Sequence, residues 1–440
     1  MRDPTEILRT LLTFDTTNPP GNESGCIRWV DGLLQSVGLG TVLLGDNPER
    51  LNVVTRLQGR GEAPGLLVHG HVDVVPTAGQ PWSVPPFGAV VQDGALWGRG
   101  ALDMKGSVAT ILAAIVRMRE EGVRPPGDVV VAVVADEEAG SDHGAGFLVR
   151  EHPHLFRGVR YAIGEGGGQS VELDGRRLYP IAIAEKRVCW MRVRLEGQGG
   201  HGSSPVFGGA MSRLGALLEA LDSRWLPVHI TEAARQQVTA MANAAGDPLS
   251  SRLRRLLEPA RTDATLAELG TLARRLGPVL HHTVSVTRVH ASDKVNVIPS
   301  EITVELDGRL LPGYSARDLV AEVEERLEGI PHQLEVMRTE PPGNGASPDL
   351  AGYEVLAALL RELDPEGIPI PSVTAGFTDG CQFSKLGVRN YGCLPARLPD
   401  GFQGEGLVHA ADERIPISAL DFGAEAVYRI LTRFGSTIPN

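Results

Sequence analysis

A chain of 440 residues, 42% hydrophobic and 22% charged, can bury a sizeable core and divides most readily into two domains. Lysine and arginine number 42 against 54 aspartate and glutamate, a net charge of -12 that no basic block offsets, so nucleic acid and anionic membrane are excluded as partners. No apolar run approaches the roughly 20 residues that span a bilayer, and the start Met1-Arg2-Asp3-Pro4 lacks a basic segment followed by an apolar core, so a cytoplasmic protein is expected.

Residues 5–14 carry apolar positions at helical spacing, and the turn cluster Thr16-Thr17-Asn18-Pro19-Pro20-Gly21-Asn22 stops that helix before a second one at about 25–37. Strand-like segments at 51–57 and 65–68 follow, the second feeding into His69-Gly70-His71-Val72-Asp73. Beyond a loop rich in proline and glycine, Asp103 falls just before an amphipathic helix that ends near Glu121. Next comes Asp128-Val129-Val130-Val131-Ala132-Val133-Val134, an unbroken apolar run that reads as a strand buried on both faces of a largely parallel sheet. Asp136, Glu137 and Glu138 sit at its carboxyl end, the side of an open α/β sheet where ligands bind. A helix near 144–151 and a strand at 159–163, ending in Gly164-Glu165-Gly166-Gly167-Gly168, complete an α/β alternation.

Around Glu185 the pattern changes. Residues 188–195 alternate in period two, which suits an antiparallel, half-exposed strand. A helix-rich stretch at 206–278, strands at 282–289 and 301–306, a helix at 315–328 and a strand at 332–338 then suggest a separate α+β domain. The expected division is 1–186 with 341–440 as one domain and 187–340 as the other, the latter enlarged by helices at about 231–278. A helix at 348–363, a strand-like segment at 388–393 and a final helix at 416–434 return the chain to the first domain.

The candidate ligands His71, Asp103, Glu138, Glu165 and His409 are scattered over the chain, and four of them lie at strand ends or just before a helix. Imidazole and oxygen ligands without thiolate suit zinc, cobalt or manganese, and two histidines with three carboxylates are enough for two metals sharing one bridging carboxylate. In His71-Val72-Asp73 the histidine is either a metal ligand oriented by Asp73, or the end of a turn in which Asp73 merely accepts backbone bonds. His69 reads as a satisfied core histidine. Glu137 and Glu138 leave their strand in opposite directions, so one can ligate while the other takes a proton. Cys26, Cys189, Cys381 and Cys393 lie far apart with no C-x-x-C pair and read as free buried thiols. The glycine run around Glu165 lacks the lysine of a phosphate loop, and Gly199-Gly200-His201-Gly202-Ser203-Ser204 is not a nucleophile elbow.

Taken in order, His71-Val72-Asp73-Val74-Val75-Pro76, Gly98-Arg99-Gly100-Ala101-Leu102-Asp103-Met104-Lys105-Gly106, Asp136-Glu137-Glu138-Ala139-Gly140 and Asn296-Val297-Ile298-Pro299 with Asp307-Gly308-Arg309 resemble the M20 family of metallopeptidases and amidohydrolases. The resemblance implies a catalytic α/β domain with a mixed, largely parallel sheet flanked by helices, and an inserted ferredoxin-like α+β lid through which homodimers form. It implies one divalent metal, most simply zinc, on His71, Asp103 and Glu165 and a second on Asp103, Glu138 and His409. Glu137 would be the general base, Asp73 the partner of His71, and the peptide after Asp103 cis. His201 would reach a neighbouring subunit's site to stabilise the oxyanion, and Asn296 and Arg309 would hold a substrate carboxylate. The implied reaction is hydrolysis of an amide beside a free carboxylate, in N-acyl amino acids or short peptides. Glu165-Gly166-Gly167-Gly168, Ala184-Glu185-Lys186 and Gly199-Gly200-His201-Gly202-Ser203 look most like the carboxypeptidase S and N-acyl amino acid amidase branch, although Gly164 stands where that branch usually has an acid. The alternative is a non-catalytic peptide- or amino-acid-binding protein that retains the fold, which would be expected to have lost Glu137 or a ligand.

Overall fold

The structure is a computed structural model that describes residues 3–340 and 348–435. It resolves into two compact units, one comprising residues up to Ile183 with Asp349–Ser372 and the chain from Thr378 onward, the other Ala184–Pro348 with Val373–Phe377. Among the described residues no helix is long and apolar enough to cross a membrane.

The larger unit is built on one mixed sheet. Its order runs from Thr41–Leu44 through Asn52–Leu57, Val129–Val134, Gly65–His71, Val159–Gly164, Arg389–Gly392 and Arg176–Glu185 to Ile368–Thr374, with Val171–Leu173 paired to Arg176–Glu185. The four strands from Val129–Val134 to Arg389–Gly392 are parallel, and the pairings flanking them are antiparallel. Every residue of Val129–Val134 is buried, because helices cover both faces of the sheet. Val130, Ala132 and Val134 pack with Phe147, Leu148 and Phe383 on one face. On the other, the helix Lys105–Glu120 lies against the strand Gly65–His71 and beside the helices Pro4–Leu12 and Ile417–Arg433. Gly70 allows that closeness: a Cβ there would come within 2.8 Å of Met104 Cε and 3.0 Å of Val108 Cγ2.

The smaller unit has the order βαββαβ that defines a ferredoxin-like fold. Strands Arg187–Glu196, Thr283–His290, Glu301–Leu310 and Gln333–Thr339 form an antiparallel sheet in which Arg187–Glu196 and Glu301–Leu310 are central. Met191, Val193, Leu195, Ile302, Val304 and Leu306 turn one face into a core with Leu217, Leu319 and Val323 of the helices Ala210–Asp222 and Ala316–Arg326. The second of these helices starts with a capping box between Ser315 and Asp318. Helices Glu232–Ala244, Leu249–Arg255, Thr262–Glu268 and Thr271–Leu280 make the insertion. Its far end is tied down by the fully buried Lys186, whose Nζ donates to the carbonyls of Pro278 at 2.9 Å and His281 at 3.0 Å and to Thr283 Oγ1 at 2.9 Å. All four cysteines are buried thiols outside any disulfide.

Candidate metal centre

Parallel pairing with matched register brings three strand ends side by side: His71 lies opposite Val134, and Val68 opposite Ile163. His71 ends its own strand, the Glu137–Ala139 turn follows Val134, and Glu165 follows Gly164. Asp103 comes from the loop before Lys105–Glu120, and the Asp103–Met104 peptide is cis. His409, far along the chain, is held with a φ of 61°.

These side chains converge. His71 Nε2 is 3.3 Å from Asp103 Oδ1 and 3.4 Å from Glu165 Oε2, while His409 Nε2 is 3.1 Å from Asp103 Oδ2 and 3.2 Å from Glu138 Oε1. Asp103 thus offers one oxygen to each histidine. The opposite nitrogen of His71 fixes its tautomer: Nδ1 donates to the Asp73 carbonyl at 3.0 Å, with the Asp73 carboxylate at 3.4 Å. The Asp73 carboxylate mainly serves the neighbouring turn, accepting the amides of Glu137 and Glu138, each at 3.1 Å, and Asn18 Nδ2 at 2.8 Å.

That turn needs holding, because Asp136, Gly140 and Ser141 all have positive φ. Asp136 is over-determined: Oδ1 accepts Arg50 Nη2 at 2.8 Å and Asn18 Nδ2 at 3.1 Å, and Oδ2 accepts the His143 amide at 2.9 Å. Arg50 also pairs with the buried Glu23. On the other side of the turn, Ser141 Oγ donates to Asp379 Oδ1 at 2.6 Å. Asn18, Arg50, Asp136 and Asp379 are absent from the sequence-derived site because each acts on a backbone or side chain remote in the chain.

The electrostatics demand positive charge between the two histidines. Burial works against a charged His71, but the Glu165 charge and the nearby Asp103 and Asp73 carboxylates outweigh it and hold the imidazole well above its ordinary value. The Asp103 and Glu138 carboxylates beside its ring push His409 up to about 10. Burial, and then the Glu165 charge, push Glu137 well above the usual carboxylate range. Burial raises Asp379 to about 8.

A pair of divalent ions fits this donor set. In the neutral ring, with Nδ1 donating, His71 Nε2 presents a buried lone pair to two carboxylates and makes no hydrogen bond; neither does Glu138 Oε1. Two groups satisfy a metal-ligand geometry here, His71 with Asp103 and Glu165, and Asp103 with Glu138 and His409. Donor separations of 3.1–3.4 Å match the ~3.3 Å edge of a tetrahedron whose ligands lie ~2.0 Å from a zinc ion.

His69 is buried beside the ring of Phe383, with Nε2 3.1 Å from Asn390 Oδ1, and burial pushes it down to about 4. It also accounts for the glycine at 164, since a Cβ there would lie 2.2 Å from His69 Cε1. An acid at this position and a histidine at 69 cannot share the space.

The remaining candidates belong to the smaller unit. His201 is exposed on a short strand paired with Val297–Ile298; the Ser203 amide donates into its Nδ1 at 3.2 Å, which leaves the proton on Nε2. Asn296 is exposed beside that strand pair, its carbonyl accepting the Gly202 amide at 2.8 Å. Arg309 forms a fork on Asp307 through Nε at 2.9 Å and Nη2 at 3.1 Å, the strand ion pair that the sequence also allows.

Residues 67–433 match the model of peptidase family M20/M25/M40. The mouse (Mus musculus) N-fatty-acyl-amino acid synthase/hydrolase PM20D1 is 27% identical over 375 residues, 81% of this chain and 72% of its own. A probable carboxypeptidase S-like 2 of Dictyostelium discoideum is 25% identical over 370 residues, 80% of this chain and 68% of its own. The fold is similar to that of the M20 family metallo-carboxypeptidase Sso-CP2 from Sulfolobus solfataricus, with a TM-score of 0.73 at 17% identity over 98% of this chain and 99% of that one. Strand ends that gather acids and imidazoles, and a family match over most of the chain, lead to one conclusion: the protein belongs to peptidase family M20/M25/M40, enzymes that hydrolyse amide bonds with the help of metal ions.

Proposed function

We propose that this enzyme cleaves an amide bond next to a free carboxylate, in N-acyl amino acids or short peptides, with two divalent ions in the larger unit. The carrying observation is the buried lone pair of His71 Nε2, which faces Asp103 and Glu165 with no hydrogen bond. His71, Asp103 and Glu165 would hold one ion and Asp103, Glu138 and His409 the other, with Asp103 shared. Zinc, cobalt or manganese, once bound, would acidify the attacking water and polarise the scissile carbonyl.

The chain's own residues do the rest. Asp73 fixes the tautomer of His71 through its carbonyl and the direction of Glu137 through its carboxylate. Glu137, raised by burial, takes the proton of the attacking water and returns it to the leaving nitrogen. His201, with its proton on Nε2, would reach the site of a neighbouring subunit and donate to the developing oxyanion there. Arg309 keeps Nη1 for a substrate carboxylate beside its fork on Asp307, and Asn296 adds an amide donor. We assign the smaller unit as a lid and dimerisation domain, a reading supported by the exposed apolar side chains of Phe207, Met211, Val295 and Val297 around the His201 strand pair.

The test is a panel of N-acyl amino acids and dipeptides, assayed before and after chelation and again after zinc, cobalt or manganese is restored. Turnover on at least one member, lost on chelation and regained with metal, is expected. Binding without hydrolysis across the panel would instead make the chain a ligand-binding relative.

A further inference from the structure

Glu413 follows His409 by four residues and is fully buried. Its Oε1 accepts the amides of Leu102 at 2.7 Å and Asp103 at 3.0 Å; its Oε2 accepts the Gly100 amide at 3.0 Å and Arg99 Nη1 at 2.7 Å. A carboxylate has about four lone-pair sites, so this one is saturated although wholly removed from water. Its carbonyl takes the Gly98 amide at 2.9 Å. Arg99 extends the connection, donating Nη1 to the Ala410 carbonyl at 3.1 Å and Nη2 to Gln80 Oε1 at 2.6 Å. Gln80 completes it by donating Nε2 to the His409 carbonyl at 2.8 Å.

The two ion positions differ in how they are supported. His71 and Glu165 sit at the ends of neighbouring parallel strands, so the sheet ladder holds them. His409 has no such support: its side chain is half exposed, its residue lies outside any strand or helix, and its φ of 61° is a backbone state that a non-glycine residue keeps only when its surroundings impose it. The bonds to Glu413, Arg99 and Gln80 are those surroundings, and they join the Asp103 segment to the His409 segment through main-chain groups.

We propose that Glu413 is a positioning residue which, with Arg99 and Gln80, holds Asp103 and His409 in mutual register, so that the enzyme binds a pair of ions and not one alone. This rests on the reading that Asp103, Glu138 and His409 hold the second ion. Loss of the clamp frees His409, which has no strand or helix to support it, whereas His71 and Glu165 stay in place at their strand ends and continue to hold the first ion with Asp103.

The experiment is a titration of the metal-free full-length chain with cobalt(II), followed by calorimetry and by visible absorption. The wild type takes up two equivalents. Glu413→Gln, which puts an amide NH2 where an acceptor oxygen stood, is expected to keep the first equivalent and bind the second about 10–100-fold more weakly, the usual effect of removing a partner that orients a ligand. Equal affinities to wild type at both positions, or equal weakening of both, would overturn the proposal, because a general structural defect has no reason to choose one ion. If circular dichroism shows that Glu413→Gln does not fold, Gln80→Ala at a partly exposed position decides: selective weakening of the second equivalent supports the clamp, and unchanged binding sinks it. A wild type that takes up fewer than two equivalents refutes the two-ion reading itself, an outcome distinct from either.

Discussion

Each unit gathers two histidines against carboxylates: His71 and His409 around Asp103, Glu138 and Glu165 in the larger, His229 and His282 around Glu322 in the smaller. Judged by proximity, both could hold a metal. The difference lies on the far side of one ring. His71 Nδ1 donates to the Asp73 carbonyl, so its Nε2 lone pair faces the acids. His282 Nδ1 instead accepts the Leu311 amide at 3.0 Å, so the neutral ring carries its proton on Nε2, 3.9 Å from Glu322 Oε1. A metal ligand must offer a lone pair, and this ring has none to offer without losing the Leu311 bond. His229 Nε2 closes the second cluster with a 2.5 Å bond to Glu322 Oε1, under the ring of Tyr314. Whatever occupies the outer nitrogen decides what the inner one can do.

The largest expected effect separates the clusters outright. His71→Asn should lose metal and, with it, all measurable turnover, whereas His282→Asn should keep both ions and its activity. Metal analysis of the two purified variants checks this. An ion lost from the His282 variant would show that the smaller unit binds metal too, and the argument from the Leu311 amide would fall.

A smaller but still large effect concerns two half-buried carboxyls, Glu137 beside the first cluster and Glu322 in the second, each raised above the usual range mainly by burial. Glu137→Gln should retain its ions and lose about 10²–10⁴-fold in kcat, the span for removing a general base. Glu322→Gln should leave kcat near wild type. Equal losses in the two variants would mean that raised acidity constants carry no information about which carboxyl handles protons.

Much of this was legible in the sequence, for a physical reason. A strand buried on both faces must be apolar throughout, so Val129–Val134 announces both itself and the acids at its end, and period-two alternation announces Arg187–Glu196. The strands Arg176–Glu185 and Ile368–Thr374 were not legible: Pro180, Pro369 and Pro371 argue against a strand, and Ile368–Thr374 tolerates its two prolines because it lies at the sheet edge. Four of the five candidate ligands could be found because each is an acid or imidazole at a strand end or near a helix start; His409 is the exception. Glu413 could not, although it trails His409 by one helical turn's spacing, because its partners are main-chain amides more than 300 residues away, and no side-chain pattern records them. His69 and Gly164 belong to the same class: the glycine is explained only when the ring that fills its space is seen.

The smallest effect tests the tautomer of His282 directly. Burial, and then the charges of His229 and Lys186, push His282 down to about 3 from an ordinary 6.5. Between those pH values the unfolded chain binds the proton and the folded chain does not, so the stability associated with this ring is lost as pH falls from about 6.5 toward 3. His409 in the metal-free protein behaves in the opposite sense: its value is raised to about 10, so its contribution is present below 6.5 and lost as pH climbs through 10. Urea unfolding of wild type and His282→Asn at pH 7 and pH 5 should therefore show the wild type's advantage shrinking by about 2 kcal/mol, the value of some 1.5 pH units below the ordinary imidazole value. An advantage that stayed constant, or grew, on acidification would mean that the ring accepts a second proton and pairs with Glu322. The Leu311 amide could not then be donating to Nδ1, and the contrast between the two clusters would fail at the atom on which it was drawn.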